Sequence, residues 1–346
     1  YRVSMESLKV ERVATFPNVE EAKRRIHYST EVIDDLIWFF PFDTNVIHSY
    51  NPLTGEISFF TVEDNENNNG EWCFSKTVIY CRKAYLFPFD SKQSLYIFDF
   101  YDHSISKIHR FNSDIRSLTG CKAFSLDINA FCLENDILWI AIMNTSIVIK
   151  MNLSEAKYEK FTLKGDYKLR GIFKDNSVFY ATLTDKPVIL SFDCLSFCPK
   201  EIKNEAFAYD EKLALINIVK YGNSFFVIPS GKLPIQYFKK DEVETHLIGV
   251  DWKRINKITF FSTYASCVYH KGYLWLFPRS CDKLIRIDTS SYGITMNPLR
   301  IERDDFGKKI FSDLLKWKFF PGNVNCEHSS YYNDELQLFI EMVKNQ

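Results

Sequence analysis

Apolar residues in the central part of the chain come in short runs separated by clusters of turn-forming residues. In the first clear repeat the runs are residues 28–33, 36–41, 46–50 and 56–62, and the clusters between them are 34–35, 43–45 and 51–55. Short apolar runs bounded by Asp, Asn, Pro and Gly predict strands joined by tight turns. The pattern therefore predicts a four-stranded meander, whose strands we call A to D.

This meander recurs six times. Each copy has an aromatic residue three positions before a turn-like position, and most copies have a short polar residue ten or eleven positions after it. The aromatic residues are Trp38, Tyr85, Trp139, Phe179, Phe226 and Trp275. The turn positions are Pro41, Pro88, Ile142, Thr182, Pro229 and Pro278, and the closing polar residues are Asn51, Asp99, Asn152, Asp193 and Asp288. A short Asn or Asp at such a place predicts a tight turn, because its side chain bonds the backbone two residues on. Calcium ligation is the alternative, although its ligands would have to converge in one loop.

A recurring unit of strands and turns, with spacings of 40 to 54 residues, is the signature of a β-propeller. We predict an all-β fold, a six-bladed β-propeller over residues 28–300, with blades at about 28–62, 74–110, 128–163, 167–203, 213–250 and 264–296. Seven blades remain the alternative, because a strand-like segment at 7–13 has no assigned place.

The two ends do not follow the repeat. Residues 1–27 are expected to form an extension with that strand and a short helix that starts near Asn18. Residues 301–346 are expected to form a helical extension packed on the propeller, with helices over 309–318 and 334–343.

Bulk composition limits the classes of function. The chain of 346 residues has 46% hydrophobic residues and a net charge of −1, which argues against a nucleic-acid surface. No apolar stretch reaches the length of a membrane span. The nine cysteines show no regular framework, so we expect reduced thiols in a cytoplasmic protein. Cys194 and Cys198 lack a second pair that would complete a zinc site, and we expect neither a metal nor a cofactor.

The repeat alignment predicts which residues of the A strands face the propeller axis. Side chains two apart share one face of a strand. The first predicted layer is Ser29, Ser75, Asn129, Lys168, Leu215 and Ala265, and the next is Glu31, Thr77, Phe131, Arg170, Asn217 and Cys267. We take as candidate ligand-binding residues the polar members Ser29, Glu31, Ser75, Thr77, Asn129, Lys168, Arg170 and Asn217. Arg170 could bind an anion with both arms of its guanidinium, whereas a water-filled channel with paired charges is the simpler interpretation.

The motif residues also carry a resemblance. Trp38-Phe39-Phe40, with Asn45-Val46-Ile47 and the segment 51–57, resembles the repeats of virginiamycin B lyase propellers, and the aromatic spacing is similar to kelch repeats. The resemblance covers residues 28–296 and implies the propeller fold. The paired glycines of kelch repeats are missing, and no His and Glu motif matches that of the lyase, so no catalytic residue is carried over.

Two functions follow. The first is a binding or scaffolding propeller that holds a small polar or anionic ligand, a peptide or a protein on its loop-bearing face and in its channel. The alternative is a propeller lyase or hydrolase that acts on a sugar or peptide in the channel. Its candidate catalytic residues are His27, as a base, and the nearby Glu31. No Walker loop, dinucleotide-binding glycine motif, HExxH or nucleophile elbow is present.

Overall fold

The structure is a computed structural model of the chain. It describes residues 2–3, 9–11, 16–17, 27–64, 72–186, 188–202, 215–229, 234–240, 242, 245–249, 264–278, 283–298 and 300–301. The helices expected at 18–26, 309–318 and 334–343 lie outside the described residues.

Six four-stranded sheets account for the repeats, and in each sheet every strand pairs with the next one along the chain. Blade 1 contains β3 (His27–Ile33), β4 (Leu36–Pro41), β5 (Val46–Tyr50) and β6 (Ile57–Thr61). Blade 2 contains β7 (Phe74–Tyr80), β8 (Lys83–Pro88), β9 (Leu95–Asp99) and β10 (Ile105–Ile108). Blade 3 contains β11 (Phe131–Glu134), β12 (Ile137–Ala141), β13 (Ile147–Asn152) and β14 (Lys157–Thr162). Blade 4 contains β15 (Leu169–Asp175), β16 (Val178–Leu183), β17 (Ile189–Asp193) and β18 (Lys200–Ile202).

The last two blades follow the same order. Blade 5 contains β19 (Leu215–Tyr221), β20 (Ser224–Pro229), β21 (Ile235–Lys239) and β22 (His246–Ile248). Blade 6 contains β23 (Tyr264–His270), β24 (Tyr273–Pro278), β25 (Lys283–Asp288) and β26 (Ile294–Pro298). The predicted six-bladed β-propeller is confirmed.

A seventh sheet joins the N-terminal segment to residues that follow blade 6. It has three strands, β1 (Arg2–Val3), β2 (Lys9–Glu11) and β27 (Arg300–Ile301), and β2 pairs with β27 in parallel. The strand-like segment near the N-terminus thus joins residues that follow blade 6 instead of forming a further blade. The seven-bladed alternative is not needed.

The chain divides into two compact units. One, the four-blade unit, comprises residues 15–203 and 214–218, and the other comprises 1–14, 204–213 and 219–346. Within each unit the core lies between neighbouring blades. In the four-blade unit, Trp38 of blade 1 packs on Phe98 and Phe100 of blade 2, with ring centroids 5.3 and 5.0 Å apart. Trp139 of blade 3 likewise lies 4.9 Å from Phe179 of blade 4, so Trp38 and Trp139, two aromatic residues of the motif, are contacts between blades, as aromatic area suits flat sheet faces.

The structure corrects the repeat alignment in blade 4. Cross-strand pairing matches Trp38 with Ser49 in blade 1, and the same pairing in blade 4 joins Tyr180 to Ser191. Tyr180 and Leu183 therefore occupy the aromatic and turn positions that the sequence assigned to Phe179 and Thr182. Phe179 is fully buried on the opposite face, because adjacent strand residues point to opposite sides of the sheet.

The closing Asn and Asp residues act in turns, as predicted. Asn51 Oδ1 accepts the backbone N–H groups of Leu53 and Thr54 at 2.9 and 3.2 Å. Asp193 Oδ1 does the same for Leu195 and Ser196 at 2.9 and 2.7 Å. Among the described residues, no group of three or more His, Cys, Asp or Glu side chains is placed to share a metal ion.

One helix was not predicted. α1 (Phe111–Thr119) lies in the connection between blades 2 and 3 and buries Phe111 and Ile115 in the core that these blades share. Gly120 ends it in a left-handed conformation with φ 74°. No helix within the described ranges has the length and apolar character needed to cross a membrane.

Candidate functional site

The loop end of the four-blade unit is the side formed by the B–C loops and by the connections that lead into the A strands. Backbone hydrogen bonds tie this end together from one blade to the next. They run from Phe74 N to Phe42 O at 3.1 Å, from Leu126 N to Phe89 O at 2.7 Å and from Asn144 N to Leu169 O at 2.9 Å. The loops are therefore held by main-chain contacts, which leaves side chains at this end available for other roles.

A hydrogen-bonded cluster joins blades 3 and 4 at the loop end. Asp127, in the connection before β11, accepts the Arg170 Nε–H through Oδ2 at 3.1 Å. Its Oδ1 accepts the backbone N–H of Asn129 at 3.0 Å and the side-chain amide of the same residue at 3.3 Å. The side chains of Arg170 and Asp127 are only 27% and 12% exposed, so this ion pair is largely shielded from water.

Gly171 explains how the two blades come this close. A Cβ at this position would lie 2.9 Å from Thr182 Oγ1 and 3.2 Å from the backbone oxygen of Asn129. Ile172 N–H also donates to that oxygen at 2.9 Å. Because no side chain intervenes at position 171, β15 approaches the start of β11 and brings Arg170 to Asp127.

A second ion pair lies beside the first. Lys168 Nζ is 3.3 Å from Asp185 Oδ2, with side-chain exposures of 52% and 36%. The other carboxylate oxygen of Asp185 is buried and has no hydrogen-bond donor within the described part of the chain. Thr184 Oγ1 donates to Asn144 Oδ1 at 2.7 Å across the same two blades. The predicted cations Lys168 and Arg170 thus each have a carboxylate partner, which balances their charge.

A β-bulge shifts the register near the start of the A strand in blades 1, 2, 4 and 6. Beyond the bulge the pairing with strand B is regular, and it places Ser29, opposite Phe40, at the position of Lys76, opposite Phe87, and Glu31 at the position of Val78. The predicted layers, which placed Ser29 with Ser75 and Glu31 with Thr77, are therefore wrong in register. The predicted alignment of blades 1 and 2 is one residue out, and alternation along a strand cannot reveal this because the partner on strand B sets the position.

Four of the other candidate residues lie on the A strands of blades 1 and 2, and Asn217 lies on the A strand of blade 5. Glu31 is paired with Trp38 and so shares its face, which packs against blade 2; Thr77, opposite Leu86, lies on the facing side of blade 2. Ser29, Ser75 and Thr77 are buried, and Ser75 Oγ donates to Phe87 O at 3.5 Å. Asn217 lies on β19 and is half-buried.

Glu31 stands where the other blades have apolar residues such as Val78. Burial raises the pKa of its carboxyl above the usual value, and the positive charge of Lys76 opposes that effect. No hydrogen bond or ion pair to Glu31 is found among the residues that the structure describes. In particular, His27 does not bond Glu31.

His27 instead bonds a histidine that sequence reasoning left unassigned. His27 Nε2 is 2.8 Å from His48 Nδ1, and His48 Nε2 is 2.8 Å from the carbonyl oxygen of Pro17. The two histidines are 21 residues apart on strands A and C of blade 1, and no motif links them. Only the sheet register, in which His48 lies opposite Phe39 of the intervening strand, brings them together.

Comparison with known proteins identifies the fold. No protein-family model matches the chain. No curated protein matches it either. Among solved structures, virginiamycin B lyase from Staphylococcus aureus is 13% identical with a TM-score of 0.58, covering 82% of this chain and 86% of the lyase.

Two further propellers are similar to a lesser degree. The extracellular domain of a putative one-component system from B. thetaiotaomicron is 13% identical with a TM-score of 0.53, over 83% of this chain and 34% of that one. YCF48 bound to D1 peptide is 10% identical with a TM-score of 0.51, over 78% and 82% of the two chains. The resemblance to virginiamycin B lyase propellers inferred from the repeats is thus confirmed at the level of the fold, which is that of a β-propeller.

Proposed function

We propose that this chain is a binding propeller that holds a small polar ligand at the junction of blades 3 and 4 on the loop end. The proposal rests on the hydrogen bonding of the Arg170 guanidinium. Its Nε–H is used by Asp127, while no hydrogen bond to its two terminal nitrogens is found among the described residues. Asp127 therefore fixes the guanidinium by one atom and leaves the fork of terminal N–H groups to donate to a ligand.

The charge balance narrows the class of ligand. Arg170 and Lys168 are each paired with an aspartate, so the junction attracts anions weakly over distance. Recognition would depend on hydrogen bonds, donated by Arg170 and accepted by Oδ2 of the part-exposed Asp185 carboxylate. A ligand that both accepts and donates, such as a hydroxy acid or a sugar acid, fits these groups better than a phosphate does.

A peptide carboxylate is the second ligand that this fork would accept, and a larger partner could present one on the same face. YCF48, whose fold is similar, is described with a bound peptide. We do not extend the proposal to catalysis, because His27 bonds His48 and not Glu31.

The proposal can be tested by nitrogen-15 NMR of arginine side chains in the full chain. The chain is titrated separately with gluconate, glucose, inorganic phosphate and a short peptide that has a free carboxylate. Gluconate or the peptide should shift the side-chain signals of Arg170 and Asn129. Arg170→Lys keeps the charge but removes the fork, and should weaken binding by about tenfold or more.

Arg82→Lys is the matched control, because Arg82 pairs with Asp34 in an exposed ion pair far from these loops in sequence. It should bind as the unmodified chain does. Equal affinity of the Arg170→Lys and Arg82→Lys chains would refute the site.

A further inference from the structure

The two histidines of blade 1 form a directed chain of hydrogen bonds. A carbonyl oxygen can only accept, so His48 Nε2, at 2.8 Å from Pro17 O, carries the hydrogen. A neutral imidazole has one N–H group, which leaves His48 Nδ1 as an acceptor. His27 Nε2 must then donate to it, also at 2.8 Å. We therefore assign the Nε2–H tautomer to both rings.

Aromatic contacts close around this chain. The Phe16 ring lies 4.6 Å from the ring of His27, 4.7 Å from that of His48 and 4.8 Å from that of Phe39, measured between centroids. His48 is fully buried. Phe16 and Pro17 are thus fastened to blade 1 through a hydrogen bond and a set of ring contacts that meet at the two imidazoles.

A further proton does not fit this arrangement well. If His48 is protonated, both of its nitrogens become donors, and its Nδ1–H would face the Nε2–H of His27. His27 would have to exchange its tautomer, and the charge would remain in an aromatic surrounding. A proton on each ring leaves donor against donor with two like charges at 2.8 Å.

On the four described strands of blade 1, no charged group is paired with either imidazole. β4 and β6 contain no ionisable residue, and the others on β3 and β5 are Tyr28, Glu31 and Tyr50. Glu31 shares the face of Trp38 and is influenced by Lys76. Burial first, and the neighbouring His48 second, lower the pKa of His27 from 6.5 to about 3. Burial also lowers the pKa of His48, against the opposing effect of the Pro17 carbonyl.

We propose that the His27–His48 pair is an acid-sensitive latch, which holds Phe16 and Pro17 on blade 1 at neutral pH and releases them when the imidazoles take up protons. The direction of the pH effect follows from the number of protons that the closed and open forms bind. The closed form binds fewer protons than the open form between pH 6.5 and about 3 at His27, so acid favours opening in that window. In that window His27 changes the ratio of closed to open latch by up to about tenfold per pH unit, and the lowered pKa of His48 acts in the same direction.

The latch can be tested by NMR of the full chain labelled with nitrogen-15 histidine. At pH 7.5 the spectrum should show His27 and His48 as Nε2–H tautomers, with nuclear Overhauser contacts to the Phe16 ring. Between pH 6.5 and 4 these contacts should weaken as the ratio of closed to open latch falls, by up to about tenfold per pH unit from His27 over part of the range.

A glutamine at position 48 separates proton uptake from packing. Its amide can donate to Pro17 O and accept from His27, but it cannot be protonated. His48→Gln should therefore keep Phe16 in place to a lower pH and reduce the slope. His103→Gln is the matched control, since His103 is exposed and stacks on Phe98 of blade 2; it should change nothing at Phe16.

Two results would overturn the proposal. One is an Nδ1–H tautomer at either histidine at pH 7.5, which needs no variant to detect. The other is a Phe16 that stays in contact while both imidazoles titrate near pH 6.5.

Discussion

Gly171 of blade 4 lies against the backbone of Asn129 of blade 3, with no room for a side chain between them. A Cβ on Gly171 would be 3.2 Å from both the Cβ and the backbone oxygen of Asn129. This contact sets the distance at which Arg170 meets Asp127, residues 43 positions apart in sequence. The candidate binding site therefore depends on the absence of one methyl group.

Gly171→Ala should destabilise the four-blade unit by about 1–3 kcal/mol, because the added methyl group must displace Thr182 or the Asn129 backbone. Urea unfolding followed by tryptophan fluorescence measures the change. Gly249→Ala is the control, since a Cβ there meets nothing within 4 Å and should alter stability by no more than about 0.5 kcal/mol. Equal effects of the two substitutions would contradict the close approach.

Asp127→Asn should lower stability by about 1–3 kcal/mol, since it removes the charged acceptor of Arg170 in a pair that is mostly buried. The same change at Asp34 removes the partner of Arg82 in a pair whose side chains are both 58% exposed. That control should cost no more than about 1 kcal/mol. Urea midpoints of the two variants give the comparison, and a larger loss at position 34 would be the opposite of what burial predicts.

The turn at Asp193 should make stability depend on acid. A hydrogen bond from Ser196 Oγ first, and then backbone N–H groups, lower the pKa of Asp193 to about 2. The ionised form therefore stabilises the fold above the ordinary value of 3.8, and this contribution is lost as the pH falls toward 2.

Asp193→Asn keeps the acceptor of the turn but cannot titrate, whereas Asp193→Ala removes both properties. Thermal unfolding from pH 5 to pH 2 should therefore show a weaker pH dependence in both variants and a lower melting temperature at pH 5 mainly in the alanine variant. A carboxyl that titrates near 3.8 by NMR would rule out this account.

Glu31 should act in the reverse direction. Burial raises the pKa of the Glu31 carboxyl above its usual value of 4.5, so the charged form destabilises the folded state. The protonated form stabilises the folded state at low pH, and this contribution is lost as the pH rises through the pKa of the folded state. Glu31→Gln should thus stabilise the chain at pH 7, by less than about 1 kcal/mol because the side chain is partly solvated. The gain should shrink toward pH 4. Glu63→Gln, at an exposed position, serves as the control.

Local patterns were sufficient to predict the blades. Apolar runs and turn clusters report directly on strands and turns, because both depend on residues a few positions apart. Asn51 and Asp193 illustrate this, since each bonds the backbone two and three residues ahead. Blade 4 was misaligned by one residue because Phe179 and Tyr180 are adjacent aromatics, and only the pairing partner of each shows which face it occupies.

The sequence by itself determined the propeller, the order of its blades and the role of the turn residues. Which side chains meet was decided by the tertiary structure. Pairing with Trp38 on strand B placed Glu31 on the face toward blade 2, and Arg170 reached Asp127 through the gap left by Gly171. His27 met His48 across a strand. Such contacts depend on strand register and on how neighbouring blades pack. Both bring together residues that are tens of positions apart, and the periodicity of the sequence does not specify them.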